Sequence, residues 1–253
     1  MDFPLARRAA ARFDVVDETG STNADLRAHA ADADAWPHLS VLVTRNQTAG
    51  RGRLDRTWVA PAGSALAVSI LIRRALDPSM RGWIPLIAGV AMADSVAAQL
   101  PDRVVAVKWP NDVLVDERKI SGILAEVAGD AIIVGAGVNT AMTEQQLPVP
   151  TATSFAVSGG VVDEDRLLAD YLRTLDRHLE SLVATGDAIV SGLHARATAR
   201  SATLGRAVRV WLPGDRMLDG TAAALDGEGR LVVDADGESH VVSAGDVVHV
   251  RAN

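Results

Sequence analysis

VVAVKWPNDVLVDERKISGILAEVAGDAIIVGAGVN, residues 104–139, decides the fold. It opens on a β-branched run that stops at Pro110. It continues through 113–127 as two apolar runs around a polar turn at Asp116–Arg118, and closes on AIIVGAGVN (131–139). Apolar runs of this length, punctuated by turn residues, are strands joined by hairpins. No helical segment intervenes, so an alternating βαβα chain with a parallel sheet is excluded and a mixed, largely antiparallel sheet is expected. Outward toward the N-terminus, SALAVSILI (64–72), LSVLVT (39–44) and Phe13–Val16 supply more strands. Ser21 or Thr22 caps an alanine-rich helix, and a second helix, from about Arg81 to Leu100, is apolar almost all round, as in a buried element. Toward the C-terminus, the spacing of Leu167, Leu168, Tyr171, Leu172, Leu175 and Leu179 predicts a helix over 163–183, followed by a shorter one over 187–197. After Ala202 the texture changes to short strands (VRVWL, TAAAL, RLVVDA, HVVSAGDVVHV) separated by Pro-Gly, Asp-Gly and Gly-Glu-Gly turns, a small all-β barrel or sandwich. The class is therefore α+β, with a larger domain over 1–202 and a β module over 203–253.

The 253 residues are 48% hydrophobic, enough for a sizeable core. A formal charge of -7 gives no global field to hold nucleic acid or an anionic membrane, so neither is expected as a partner and any anion site must be local. There is no cysteine, which removes disulfides, thiolate nucleophiles and Cys-ligated zinc; with no leader-like or membrane-length apolar run, a cytoplasmic protein is expected. Of the 25 basic residues only two are lysines, Lys108 and Lys119, both in the hairpin region. A lysine kept in an arginine-using chain suits a task needing a compact ammonium, although chance gives the same count.

Four segments can carry chemistry. From Arg45 to Trp58, four arginines face one aspartate, Asp55, and Gly50 and Gly52 let backbone N–H groups and the forks of Arg51 and Arg53 approach phosphate or carboxylate oxygens. No GK[ST] follows, so this is not a Walker A loop, and Asp55 stands where the third glycine of GxGxxG would be. KWPND brings Lys108, Trp109, Asn111 and Asp112 into a turn, and the next hairpin can return Lys119 to the same cleft; PND alone is also a good turn sequence. GSTN (20–23) sits at a helix start, where hydroxyls and free N–H groups bind polar ligands, and capping alone also explains it. GAGVN (135–139) allows close approach and ends on Asn139; an ordinary strand end reads the same. The six histidines show no metal-ligand spacing. Trp36, Trp83 and Trp211 read as core or interface residues, whereas Trp58 equally suits a cover for a purine ring.

GSTN, QTAGRGR with a tryptophan five residues beyond its last arginine, KWPND, KISGILAE and GAGVN, in that order, resemble the biotin protein ligases from about Phe13 to Val250. The C-terminal AGDVVHVR is also similar to the family's small barrel. The resemblance implies a catalytic domain like that of class II aminoacyl-tRNA synthetases, followed by an SH3-like barrel. It implies a two-step reaction. Biotin and ATP with Mg2+ give biotinyl-5'-AMP and pyrophosphate, and a lysine of a biotin carboxyl carrier protein or domain of acyl-CoA carboxylases then takes the acyl group. By the same resemblance Ser21, Thr22, Asn23 and Gln47 hold the biotin ring system, and Arg51, Gly52 and Arg53 form a ligand-ordered loop over the adenylate. Lys119 lies between carboxylate and α-phosphate, and Arg53, Arg56, Trp58, Asn111 and Asn139 contact ATP, Trp58 by stacking. Asp112 helps bind magnesium or activates the incoming amine, so the catalytic set is Lys119, Arg51 and Asp112. Leu54-Asp55 departs from the further basic or small residues often found in relatives. Only about twelve residues precede the first strand, so a ligase without the DNA-binding winged helix of some relatives is expected.

Overall fold

The structure is a computed structural model and describes residues 2–54, 56–212, 216–243 and 245–250. Asp55, the Pro213-Gly214 turn, Ala244 and Arg251, all used in the sequence reading, lie outside the described residues. Chain order runs α1 (Pro4–Ala9), β1 (Arg12–Val15), α2 (Thr22–His29), β2 (Ser40–Thr44), β3 (Gly50–Arg51), β4 (Thr57–Trp58), β5 (Ala65–Ile72) and α3 (Trp83–Ala97). It continues with β6 (Val105–Lys108), β7 (Asp112–Val115), β8 (Arg118–Ala128), β9 (Ala131–Asn139), α4 (Glu164–Thr185) and α5 (Leu193–Ala199). The last five strands are β10 (Ala207–Leu212), β11 (Arg216–Leu225), β12 (Leu231–Ala235), β13 (Glu238–Val242) and β14 (Asp246–His249).

Seven strands form one sheet in the order β1-β2-β5-β9-β8-β7-β6, antiparallel throughout except for β1 beside β2. The β7–β8 turn puts Asp116 and Glu117 at positive φ (47° and 66°), as a two-residue primed hairpin turn requires. Alternation along β5 sorts the faces. Leu66, Val68 and Ile70 enter the main core with α3 and α4, while Leu71 joins Leu26 of α2, Leu42 and Ile133 on the opposite face. α3 is sandwiched between the sheet and α4, which is why it is apolar all round. α1 packs on α4, its N-terminal N–H groups at Leu5 and Ala6 bound to the Asp165 carboxylate.

The final five strands make a separate antiparallel sheet in the order β13-β12-β11-β10-β14, the SH3-like module. Its core residues Val208, Val210, Leu231 and Val233 are continuous with the main core. Two indoles tie its 227–229 turn down: Trp83 Nε1 donates to the Gly227 carbonyl (2.8 Å) and Trp109 Nε1 to that of Gly229 (3.0 Å). Trp36 is buried under His29 and Arg12, as expected, whereas Trp211 is 48% exposed.

Three local expectations change. The segment 46–57 is not wholly loop, because Gly50 pairs with Trp58 and Arg51 with Thr57 in a two-residue ladder. The last helix starts at Leu193, since the Asp187 carboxylate instead caps a turn at Ile189 and Val190, and Gly192 at φ 78° separates the two. α1 lacks a sequence signal strong enough to stand out in six residues.

Burial holds His178 on α4 down at about 4, with Arg196 and Arg177 adding repulsion; His249 on β14 is likewise near 4 from burial beside Lys108 and Arg206. Both start from 6.5, so the folded protein keeps them neutral where an unfolded chain would protonate them. Their stabilising effect is complete above pH 6.5 and is lost as pH falls toward 4. The urea midpoint is expected to drop between pH 6.5 and about 5, on the order of 1 kcal/mol per histidine. A double variant lacking both side chains is expected to show a shallower profile there, the remaining slope including His38, which burial also lowers.

Candidate active site

One row of paired residues explains where the cleft lies. Ala67, Gly137, Gly122 and Asp112 are in register across β5, β9, β8 and β7. In the next row Ser69, Gly135 and Leu124 are in register. Side chains in register share a face, so small residues over three strands leave a hollow on the α2 side of the sheet. The cleft above has a cavity volume of about 170 Å³ and opens to solvent, a concave site lined by both polar and apolar groups. The two glycines of GAGVN face specific neighbours. A Cβ at Gly135 would collide with the Asn23 amide, and one at Gly137 would stand 2.5 Å from Trp58 Cε2. The Trp58 indole therefore lies directly over bare strand backbone.

At one end of the hollow, Lys119 Nζ pairs with Asp112 Oδ1 at 2.6 Å. The register slips by one residue between β7 and β8: Val113 faces Ser121, but Leu114 faces Lys119, leaving Ile120 extra. That bulge sends Ile120 into the core, fully buried, and turns Lys119 to the same face as Gly122. Without it Lys119 would point away from the cleft. Asn111 binds Ile123 through its own carbonyl and its side-chain amide, and its Oδ1 accepts from Arg53 Nη1 at 3.0 Å. Arg53 also reaches the Gly245 carbonyl of the C-terminal sheet at 3.2 Å, so the arginine loop rests on both units.

At the other end a network of amides and hydroxyls converges on the Glu126 carboxylate. Gln47 Oε1 accepts from Thr22 N (2.9 Å) and Thr22 Oγ1 (3.1 Å). Ser69 Oγ lies 2.7 Å from Thr22 Oγ1 and 2.5 Å from Asn23 Oδ1, and Asn23 Nδ2 donates to Glu126 Oε2 at 2.7 Å. Arg51 Nη2 reaches the same Glu126 oxygen at 3.2 Å. Gly52, Arg56 and Leu54 line the cleft with Arg51, Arg53 and Trp58.

Eleven of the thirteen site residues expected from sequence thus line one cleft: Thr22, Asn23, Gln47, Arg51, Gly52, Arg53, Arg56, Trp58, Asn111, Asp112 and Lys119. Ser21 and Asn139 do not. Ser21 caps α2 by accepting from Ala24 N, and Asn139 is buried with its amide on the Thr153 carbonyl (2.8 Å). Arg45, counted among the loop's cations, is spent on Glu164 of α4. Among the described residues no three His, Asp or Glu groups gather as a metal cluster, and no helix is long and apolar enough to cross a membrane.

The sequence pattern of the Biotin/lipoate A/B protein ligase family matches residues 16–139, and that of the Biotin protein ligase C terminal domain matches 203–250. The biotin acetyl-CoA-carboxylase ligase of Mycobacterium tuberculosis is 42% identical over 244 residues, 95% of this chain and 90% of that one. The chain belongs to the biotin protein ligase family. A second such ligase, from Paracoccus denitrificans, is 30% identical over 90% of this chain and 97% of its own. The biotin protein ligase of Aquifex aeolicus, solved with biotin and ATP, has the same fold with a TM-score of 0.79, at 23% identity and covering 96% of this chain and 100% of that one. The Leishmania major biotin protein ligase, solved with biotinyl-5-AMP, superposes with a TM-score of 0.61 at 27% identity over 92% and 99% of the two chains.

For a biotin protein ligase the sequence reading passed over Glu126 and Ser69, which join α2, the loop and the sheet. Glu126 carries a usable signal, since Gly122, Leu124 and Glu126 share the cleft face by simple alternation.

Proposed function

We propose that the protein activates biotin with ATP to biotinyl-5'-AMP and then passes the acyl group to a lysine of a biotin carboxyl carrier domain of a biotin-dependent carboxylase. The observation carrying this is the two-ended cleft: an amide and hydroxyl network anchored on Glu126 at one end, and at the other an ammonium paired with a carboxylate beside the Arg53–Asn111 contact. Biotin has matching ends, a neutral ureido ring and a charged carboxylate. Thr22, Asn23 and Gln47 present donors and acceptors for the ring, with Ser21 holding the helix start behind them. Lys119, with Arg51 and Arg53, offsets the repulsion between carboxylate and α-phosphate as they meet.

In the first step a biotin carboxylate oxygen bonds to the α-phosphorus while the bond to the β-phosphate bridging oxygen breaks, releasing pyrophosphate. This chain's contribution is charge and alignment, which suffices for such a transfer. Trp58, over Gly137, offers a face for adenine, and Arg56 and Asn111 flank the nucleotide; Asn139 acts from behind by fixing the 153 segment. In the second step the carrier amine bonds to the acyl carbon, AMP leaves on its phosphate oxygen, and the amine proton goes to solvent or to Asp112. Magnesium takes few protein ligands beside phosphate oxygens, so one carboxylate, Asp112, fits an ion delivered with the nucleotide; bound there it would neutralise phosphate charge. The same reading divides the chain into a catalytic domain over 1–202 and the SH3-like domain over 203–253, consistent with α5 ending at Ala199 and β10 starting at Ala207.

Incubation with biotin, MgATP and a carboxyl carrier domain is expected to put biotin on one carrier lysine, read by mass spectrometry. A carrier with that lysine replaced by arginine is expected to stay unmodified; equal labelling of both would contradict the assignment. Arg51→Ala is expected to release biotinyl-5'-AMP into solution about ten-fold faster, the loss of one charge-assisted contact. Filtration of the mixture before the carrier is added measures it.

A further inference from the structure

Glu126 collects three donors from three elements. Its Oε1 takes Arg27 of α2 at 2.8 Å, and its Oε2 takes both Asn23 at 2.7 Å and Arg51 of the loop at 3.2 Å. The carboxylate is mostly buried, at 17% exposure, while Arg51 is 48% exposed. The three contacts are unequal. Asn23 is buried and fixed from its other side by Ser69, and Arg27 is held a second time by the Val127 carbonyl. Arg51 makes the longest and most solvated contact of the set.

A half-exposed ion pair is weak, whereas a guanidinium on a phosphate forms shorter, paired, charge-assisted bonds. An anion in the cleft therefore outcompetes Glu126 for Arg51. Glu126 remains satisfied by Arg27 and Asn23, so losing Arg51 leaves no bare buried charge. Arg51 is the exchangeable partner of the three, and it also borders the cavity on the loop's outer side, where Glu126 is the one carboxylate among the described lining residues. We infer that Glu126 is the resting partner of Arg51, a positioning residue that holds the loop arginine away from the carboxylate end of the cleft until the nucleotide's phosphate replaces it. This rests on the adenylating reading above and adds a residue to it. The exchange orders events: Arg51 does not occupy the biotin carboxylate before the phosphate is present, and each product release returns it to Glu126.

Competition has a measurable sign. Removing the resting partner stabilises the bound arrangement relative to the free one, by the few-fold that an exposed ion pair is worth. Glu126→Gln keeps an acceptor for Asn23 and removes the charge. It is expected to hold biotinyl-5'-AMP about two- to five-fold longer than the native chain and to lower the KM for MgATP by a similar factor, with the KM for biotin unchanged within two-fold. Without ligand, trypsin is expected to cut the Arg51–Arg56 segment faster in the variant. Glu126→Asp, which withdraws the carboxylate by one methylene and keeps its charge for Arg27, is expected to shift retention the same way. If both variants lose adenylate faster, as Arg51→Ala is expected to, Glu126 supports the bound arrangement and the inference is wrong. A rise in biotin KM with unchanged adenylate retention would reduce Glu126 to a prop for Asn23 and also overturn it. Failure of the native chain itself to form adenylate would count against the underlying reading instead.

Discussion

Lys119→Ala is expected to slow pyrophosphate release from ATP and biotin by about 10²- to 10³-fold while the fold survives. The backbone of Lys119 is fixed independently of its side chain, donating to the Thr151 carbonyl and accepting from Thr153 N at 2.7 and 2.8 Å. The side chain is 42% exposed, so truncation opens no core cavity. The loss falls on the chemistry. In the proposed first step the ammonium meets the carboxylate and α-phosphate as they converge, and removing one such stabilising group costs about 10²- to 10³-fold in turnover. Lys119→Arg is expected not to rescue it. Lys119 Nζ sits about where a Cβ on Gly122 would need room, 3.0 Å away, so a planar fork meets backbone where a compact ammonium fits. Single-turnover rates with unchanged circular dichroism are the measurement.

Gly137→Ala is expected to impair ATP use nearly as severely by a different route. The added methyl would lie 2.5 Å from Cε2, 2.7 Å from Cζ2 and 2.8 Å from Nε1 of Trp58, closer than Cβ atoms approach anything. The ring cannot simply slide, because its backbone pairs with Gly50 in the β3–β4 ladder, where a Cβ would also strike the Trp58 carbonyl. The indole leaves its seat, and the adenine face goes with it. Stacking of a base on an aromatic side chain is worth about 1–3 kcal/mol, so the KM for ATP is expected to rise at least ten-fold. The KM for biotin stays close to native, since the Thr22, Asn23 and Gln47 network is two residues along the strand at Gly135. Alanine loses less backbone entropy than glycine, which offsets part of the displaced packing, so the loss of stability is expected to stay within about 1–3 kcal/mol and the fold to survive. A parallel rise in both KM values would instead mean that Gly137 shapes the whole hollow.

What could be read from sequence follows the range of the forces involved. The hairpins of 104–139 were legible because runs and turns are local, and the Asp116-Glu117 turn is set by its own backbone. The five motif blocks were legible as a family resemblance, and eleven of their residues do meet in one cleft. Contacts between distant residues were not legible. Arg45 reads as one more loop cation until Glu164, 119 positions away, is seen to hold it. Glu126 reads as the polar end of KISGILAE until Asn23 and Arg51 arrive from 103 and 75 positions upstream. The bulge at Ile120 is a subtler case. Neither a glycine nor a proline in KISGIL says which residue is extra, yet that one residue decides whether Lys119 faces the cleft or the core. Likewise the C-terminal turns announce a β module, but not that Trp83 and Trp109 pin it or that Gly245 receives Arg53.

The proposed cleft chemistry joins biotin, and no related acid, to AMP. The most direct test is pyrophosphate release from MgATP by the purified protein with biotin, lipoate or octanoate as the acid. Release is expected with biotin alone. Release with lipoate or octanoate, or none with biotin, would contradict the proposed chemistry.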